Sequence, residues 1–362
     1  MAHVIILGGS VGGARLAQQL GGQDSLDVVL VDASDYMDHA QANVRAVVDP
    51  EWAEFSAIPY ADFLPAHVRH VKAKADLANS PRDAVLLTYD GCAATMTYDF
   101  LVHATEREYD VIKATRSMTM RKREFESVAR AIAQVSSVAI VGAGVRGVEL
   151  AGEIYAAYGR TKTIHLITSE RDILADVPSK LRSRMHEQLN SAGVVVHYGE
   201  DPTNATGEFV SRGPLQLASG NIDVGIVLWT TGSEIVGSHR TFAVDAQLRV
   251  SEHVFAMGQA AKVTEPRTLE AALLQANYLT KQIVALAGGM AFRQPYKRLS
   301  PDARAVSFGP RGGAASLAIG TFGSIVAKMV KSHDLLLGKV YPMSLRHRLK
   351  RLPRPPRMVK VC

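Results

Sequence analysis

Apolar residues recur along this chain in short blocks separated by glycine-rich turns. Residues 138–141 form an unbroken apolar run, which reads as a strand buried on both faces. Glycines follow at 142, 144 and 147, and a helical pattern starts at Val148. The arrangement occurs a second time nearer the start. Residues 4–7 predict a strand, Gly8, Gly9, Ser10, Val11, Gly12 and Gly13 a turn, and residues 14–20 a helix. Residues 27–31 predict the next strand, with Asp32 at its end. Residues 33–65 are mixed and contain Trp52, Pro59 and Pro65; they read as a loop and a short helix covering the first glycine unit. Residues 68–75, 84–88 and 95–99 predict short antiparallel strands, with turns at Ser80-Pro81 and Asp90-Gly91. Residues 100–104 return as a buried strand, and 122–134 form a helix leading to the central motif. Beyond it come a strand at 163–168, a helix at 179–191 and strands at 194–197, 222–228 and 253–257. A long helix at 269–287 stops at Gly288-Gly289.

The order is glycine unit, excursion, second glycine unit, then a return to strand and helix. It predicts an α/β protein with two nested Rossmann-like domains and a small C-terminal α+β domain. The boundaries are 1–112 with 248–292 for the first domain, 113–247 for the second and 293–362 for the last. The two glycine motifs are the only internal repeat.

Each glycine in the central motif has a physical task. Gly142 permits the tight turn, Gly144 lets the backbone approach a pyrophosphate, and Gly147 lets the helix pack close to the strand. The helix N-terminus then turns free N–H groups and a positive dipole end toward the phosphates. In the first unit Ser10 takes the middle place. Its Cβ crowds the phosphate approach, while its hydroxyl could donate to a phosphate oxygen. Asp32 stands where a ribose-binding carboxylate belongs. A bare structural turn is the other reading of this first motif. At the end of 163–168 no acid selects NADH: Thr168, Ser169 and Arg171 suit a 2′-phosphate, and Glu170 keeps both NADH and NADPH open.

Composition narrows the class. At 362 residues the chain has room for two or three domains, and 47% hydrophobic residues fit a globular protein. No apolar run approaches the roughly 18 residues that span a bilayer. The opening MAHVIILGG enters a strand at once, so neither a leader nor a myristoyl anchor is expected. Cys92 and Cys362 are too far apart in sequence to suggest a disulfide framework, a redox pair or a metal cluster, and the cytoplasm is the expected compartment. The net charge is +6, and no acid follows Asp334. Lys339, Arg346, Arg348, Lys350, Arg351, Arg354, Arg357 and Lys360 crowd that tail. It reads either as a segment lying on an anionic membrane surface or as a solvated end. Nucleic acid is not expected, since the tail lacks stacking aromatics.

Several stretches carry a family resemblance. The two glycine turns, LVHAT at 101–105, LWTTGS at 228–233 and VFAMG at 254–258 resemble flavoproteins with two dinucleotide-binding domains. VELAGEI at 148–154, AVSFGPRGGAASL at 305–317 and MVKSHDLL at 329–336 narrow it to the apoptosis-inducing-factor homologue and ferroptosis suppressor family. The resemblance implies an FAD-dependent NAD(P)H oxidoreductase with a quinone-like acceptor. It sets FAD along Gly8, Gly9, Ser10, Gly12 and Gly13, with Asp32 on its ribose and Gly258 and Gln259 completing the site. It sets NAD(P)H along Gly142, Gly144, Gly147, Thr168 and Gly232. Glu149 falls on the family's glutamate beside the nicotinamide, and Lys331 on its lysine near the flavin. A lysine there makes sense, because its charge steadies a reduced flavin. Taken without the family, Glu149 has the alternative reading of a first-turn helix acid, and Lys331 reads as a surface lysine. The chain departs from the family at Ser10, at Glu106 in place of glycine, and at Gln259 in place of aspartate. These departures raise a second reading, an NAD(P)H-binding sensor or interaction protein with an eroded flavin site. A homodimer is compatible with either.

Overall fold

The computed structural model describes residues 1–81, 83–89, 91–105, 118–204, 209–231, 241–341 and 348–350. Asp90, Glu106, Gly232 and most of the basic tail lie outside the described residues. Two compact units interleave along the chain. One comprises Met1–Asp38, Ala57–Arg107 and Ile235–Pro301; the other comprises His39–Ser56, Glu108–Glu234 and Asp302–Cys362.

The first unit is built on a five-stranded parallel sheet, in the order Val254–Ala256, Phe100–His103, Ala2–Leu7, Leu26–Asp32, Arg69–Lys72. Its lead strand is fully enclosed from Val4 to Leu7, which is why those four positions are all apolar. Helix Val11–Leu20 crosses over to the next strand and packs on helix Leu269–Ala287. The second unit uses the same plan. Its sheet runs Val195–Tyr198, Thr163–Thr168, Ser137–Val141, Ile226–Trp229, Val210–Ser211, and only the last strand is antiparallel. Helix Val145–Tyr158 follows the lead strand. In both sheets the lead strand sits between its successor and a strand that returns later in the chain. That reversal of direction opens a crevice at the strands' carboxyl ends, the place where this architecture binds ligands.

Three local expectations change. Both crossover helices start three residues earlier than the periodicity predicts, at Val11 and Val145. Glycines inside the first turn hide the pattern, and close packing outweighs their poor propensity. The run 68–75 divides: Arg69–Lys72 joins the parallel sheet, while Lys74–Asp76 pairs antiparallel with Ala84–Tyr89, itself paired with Cys92–Thr97. Residues 39–56, read as part of the first glycine unit's surroundings, group with the second unit. Arg45, on helix Ala40–Ala46, draws them there, because its guanidinium is paired with Glu153 inside that unit.

The C-terminal region adds an antiparallel sheet of Arg304–Phe308, Gly312–Leu317 and Gly320–Phe322. Helix Ser324–Ala327 and a π-helical turn, Lys328–Ser332, follow. The sheet meets helix Val145–Tyr158 at Gly152, where an added Cβ would lie 2.6 Å from Phe308 Cα. Only glycine permits that approach.

On neighbouring strands of the second sheet, His165 Nδ1 and His197 Nε2 lie 3.0 Å apart. Burial pushes both imidazoles below their ordinary pKa, and for His165 the neighbouring His197 adds to it. The folded state therefore takes up protons less readily than the unfolded chain. This contribution to stability is complete above roughly pH 6.5 and is lost as the pH falls through that value. Chemical denaturation at about pH 7.5 and about pH 5.5 should show the loss, and His197→Gln should flatten it.

Candidate functional site

Each unit carries a site at the carboxyl end of its lead strand. In the first, Gly8 turns with φ of +101°, and an added Cβ would lie 2.7 Å from the carbonyl oxygen of Ala104. Gly13 allows the helix to close onto the turn, because its Cβ would lie 2.0 Å from Gly8 O. Ser10 caps the helix in extended geometry, with φ −57° and ψ 171°. Its hydroxyl reaches only Ala104 O, at a long 3.4 Å. Asp32 ends the adjacent strand and accepts the Gly9 N–H at 2.6 Å and the Ser34 N–H at 2.8 Å. Gly258, with φ +61°, and Gln259 form a turn just past strand Val254–Ala256. The Gly258 N–H donates to Gln275 Oε1 at 2.6 Å. Every described residue assigned to the flavin therefore lies at the carboxyl end of one sheet. Sequence reasoning missed Tyr60, which donates to Gly9 O at 2.7 Å. Burial, with the Asp32 carboxylate adding to it, holds its phenol well above the ordinary pKa, so it remains a donor.

The turn of the second unit reproduces the first. Gly142 has φ of +105°, and a Cβ on Gly147 would lie 1.8 Å from Gly142 O. Gly144 caps the helix with φ −71° and ψ −175°, close to Ser10. A Cβ at Gly144 would meet nothing within 4 Å. Gly142 and Gly147 are thus demanded by the fold itself, whereas no neighbouring protein atom demands Gly144. The space beside it and the helix N–H groups fit a pyrophosphate. The first cradle fits one as well, with the Ser10 side chain added at the matching place. The registers Leu7↔Val31 and Val141↔Ile167 put Thr168 where the first sheet has Asp32. Its hydroxyl accepts the Glu170 N–H at 3.1 Å.

The second unit also brings together Glu149 and Lys331. Lys331 Nζ lies 2.7 Å from Glu149 Oε1, although 182 residues separate them. The Ser307 N–H and hydroxyl donate to the same oxygen at 2.8 and 2.9 Å. Lys331 also donates to Ala305 O at 3.2 Å. Glu149 is 3% exposed and Lys331 7%, so neither is a solvated surface residue. Glu149 sits about 7.5 Å along the helix from Gly144 and is held by side chains rather than by the helix end. One turn further, Glu153 is wholly buried and bonded by Arg45 Nε and Nη2 at 3.0 and 2.9 Å. Burial pushes its carboxyl above the ordinary range, against the pull of the Arg45 charge. Arg45 also donates to the carbonyls of Ser332 and His333, at 2.6 and 2.8 Å, either side of the bond that follows Lys331 by one residue. The sequence held a signal for this second pair: two acids four apart on a helix otherwise apolar there must both be buried, and each needs a cation.

Removing one partner of a buried pair leaves the other charge uncompensated. Lys331→Met should therefore cost about 3–5 kcal/mol, and Glu149→Gln with Lys331→Met distinctly less. Urea denaturation of the two single variants and the double variant measures the coupling, and additive losses would show the pair to be idle.

The pyridine nucleotide-disulphide oxidoreductase family model matches residues 2–276. Ferroptosis suppressor protein 1 of Homo sapiens is 26% identical over 364 residues, covering 92% of this chain and 94% of that protein. Demethylphylloquinone reductase NdbB of Synechocystis is 26% identical over 322 residues, covering 78% of this chain and 79% of that protein. Among solved structures, NDH2 of Plasmodium falciparum in complex with NADH matches in fold with a TM-score of 0.70 at 12% identity, over 94% of this chain and 98% of that one. These relatives bear out the resemblance read from the motifs. With its paired glycine turns and parallel sheets, the chain belongs to the pyridine nucleotide-disulphide oxidoreductase family.

Proposed function

We propose that this protein is an FAD-dependent NAD(P)H oxidoreductase that delivers electrons to a quinone-like acceptor. The observation that carries the reading is the helix Val145–Tyr158: an open cradle at Gly144 is followed, one and a half turns on, by the buried Glu149–Lys331 pair. Bound FAD would supply the acceptor for the hydride of NAD(P)H and the donor of electrons to the quinone. The chain supplies the rest. Gly142, Gly144 and Gly147, with Thr168 and Gly232, hold the pyridine nucleotide. Gly8, Gly9, Ser10, Gly12, Gly13, Asp32, Gly258 and Gln259 hold FAD. Glu149 orients the nicotinamide end, and Lys331 supplies positive charge in a dry setting, where charge acts strongly. The Glu149 carboxylate, itself held by Ser307, and the Ala305 carbonyl fix the ammonium at one point, so no reorganisation is needed when charge moves. The names of the relatives, a demethylphylloquinone reductase and an NADH complex, support the substrate pair. Residues 1–112 with 248–292 form the flavin domain in this reading, 113–247 the nucleotide domain, and 293–362 a C-terminal domain whose basic tail meets an anionic membrane surface.

A specific observation favours a second reading. Ser10 puts a side chain at the place that Gly144 leaves open. A protein that binds NAD(P)H without flavin turnover would tolerate it. Visible absorption of the purified protein separates the two readings. Flavin bands, strengthened in Ser10→Gly, are expected; a colourless protein that still binds NAD(P)H would establish the second reading.

The nucleotide assignment has its own measurement. Gly144→Val should fold normally, because the space is open, yet bind NAD(P)H at least about tenfold more weakly, or ~1.4 kcal/mol. Cofactor fluorescence titration reports the affinity. Unchanged binding by the folded variant would sink the assignment.

A further inference from the structure

The segment after Gly323 turns its side chains the opposite way from an ordinary surface helix. Its inner side buries Ala327, Lys331 and Ser332, and Ser332 Oγ donates to Gly312 O at 2.7 Å. Its outer side shows Ile325 and Met329, which are 80% and 82% exposed. The four-residue spacing puts these two on one side. Both line one open hollow of about 620 Å³, together with Arg311, Lys328, His333 and Asp334. Ile319, 85% exposed, stands in the turn between strands Gly312–Leu317 and Gly320–Phe322 of the same region.

The charge on this face is net positive, with Arg311 and Lys328 against Asp334. Asp334 is occupied by its own turn, where its carboxylate accepts the Leu336 and Gly338 N–H groups at 3.0 and 3.1 Å. Arg311 and Lys328 have no carboxylate partner among the described residues. Large exposed apolar side chains beside unpaired cations are the pattern of a surface that meets the headgroup layer of a bilayer.

We propose that this folded face docks the protein on an anionic phospholipid surface. Ile325 and Met329 enter the boundary between headgroups and acyl chains, and Arg311 and Lys328 meet the lipid phosphates. A second copy of the chain is a poorer occupant, since a self-complementary contact would set the two cationic patches against each other. The face is distinct from the basic tail, and its docking can be read without any electron transfer.

The experiment is vesicle co-sedimentation of the full chain, on phosphatidylcholine alone and on phosphatidylcholine with phosphatidylserine. The parent chain should partition onto the anionic vesicles. Ile325→Ser with Met329→Ser should lower that partition at least tenfold at both low and high salt. Lys328→Glu should lower it roughly fivefold or more, and salt should erase that difference. A chain truncated after Tyr341 should keep binding that the Ile325/Met329 variant then removes. NAD(P)H oxidation with a water-soluble quinone, measured beside it, should be unaltered by the two serine substitutions. If the serine variant binds vesicles like the parent, or if truncation alone abolishes binding, the face is not a docking surface. A change of oligomeric state on size exclusion with vesicle binding unchanged would assign the face to a second copy. Binding of inorganic phosphate at the hollow with no vesicle binding would assign it to a small anion. Absence of oxidase activity in the parent would count against the function proposed above and leave the vesicle result standing.

Discussion

Two carboxylates lie four residues apart on one buried face of helix Val145–Tyr158, and each is met by a cation. Neither can be desolvated alone, because the transfer of an isolated carboxylate to an apolar interior costs far more than a fold can return. Each also repels the other, and Glu149 pushes the Glu153 carboxyl upward. The cations come from opposite ends of the unit. Lys331 arrives from the C-terminal turn and Arg45 from helix Ala40–Ala46. Arg45 further donates to the Ser332 and His333 carbonyls and lies over Trp52, 4.4 Å from the ring. Two segments far apart in sequence are thus bound to one helix and to each other. The position of the Lys331 ammonium is a consequence of the same network that makes the unit compact.

The two glycine turns separate packing from recognition. Gly8 and Gly142 share a left-handed backbone, and Gly13 and Gly147 share a contact with the turn carbonyl that excludes any side chain. The middle position is under no such demand, and there the units differ, with Ser10 in one and Gly144 in the other. The turns differ as well at Gly9 against Ala143 and at Gly12 against Arg146. The ends of the neighbouring strands differ too. Asp32 offers a carboxylate, and Thr168, at the matching register, offers a hydroxyl already engaged with Glu170. The two turns therefore offer different side-chain groups on one architecture.

The C-terminal region applies the same economy of position. Its short π-helical turn buries a lysine and exposes a methionine two residues away, against the usual order of inside and outside. The inward lysine is satisfied by Glu149 and the Ala305 carbonyl. The outward apolar side chains have no such internal account, which is why their surroundings, rather than the core, must explain them.

Much of this was legible in the order of residues. Runs such as 138–141 and 4–7 are apolar because strands buried on both faces admit nothing else, and the spacing of Gly142, Gly144 and Gly147 is dictated by a tight turn and a close helix. For Gly142 and Gly147 those are local constraints, so they leave a local mark, whereas Gly144 is set by no neighbouring atom; the fold class and both glycine turns could be read from the pattern. The family resemblance added Glu149 and Lys331, but not their contact. Ion pairing across 182 residues leaves no periodic trace, and neither does the pairing of Arg45 with Glu153. The placement of 39–56 in the second unit and the division of 68–75 between two sheets were hidden for the same reason. Helix starts at Val11 and Val145 were misread because glycine has low helix propensity, and only the close contact of Gly13 and Gly147 with the turn carbonyls overrides it. The sequence by itself determined the main elements and the glycine turns, because sterics and hydrophobic periodicity act between near neighbours. Only the tertiary structure decided which charges meet, because desolvation couples residues through space and not along the chain.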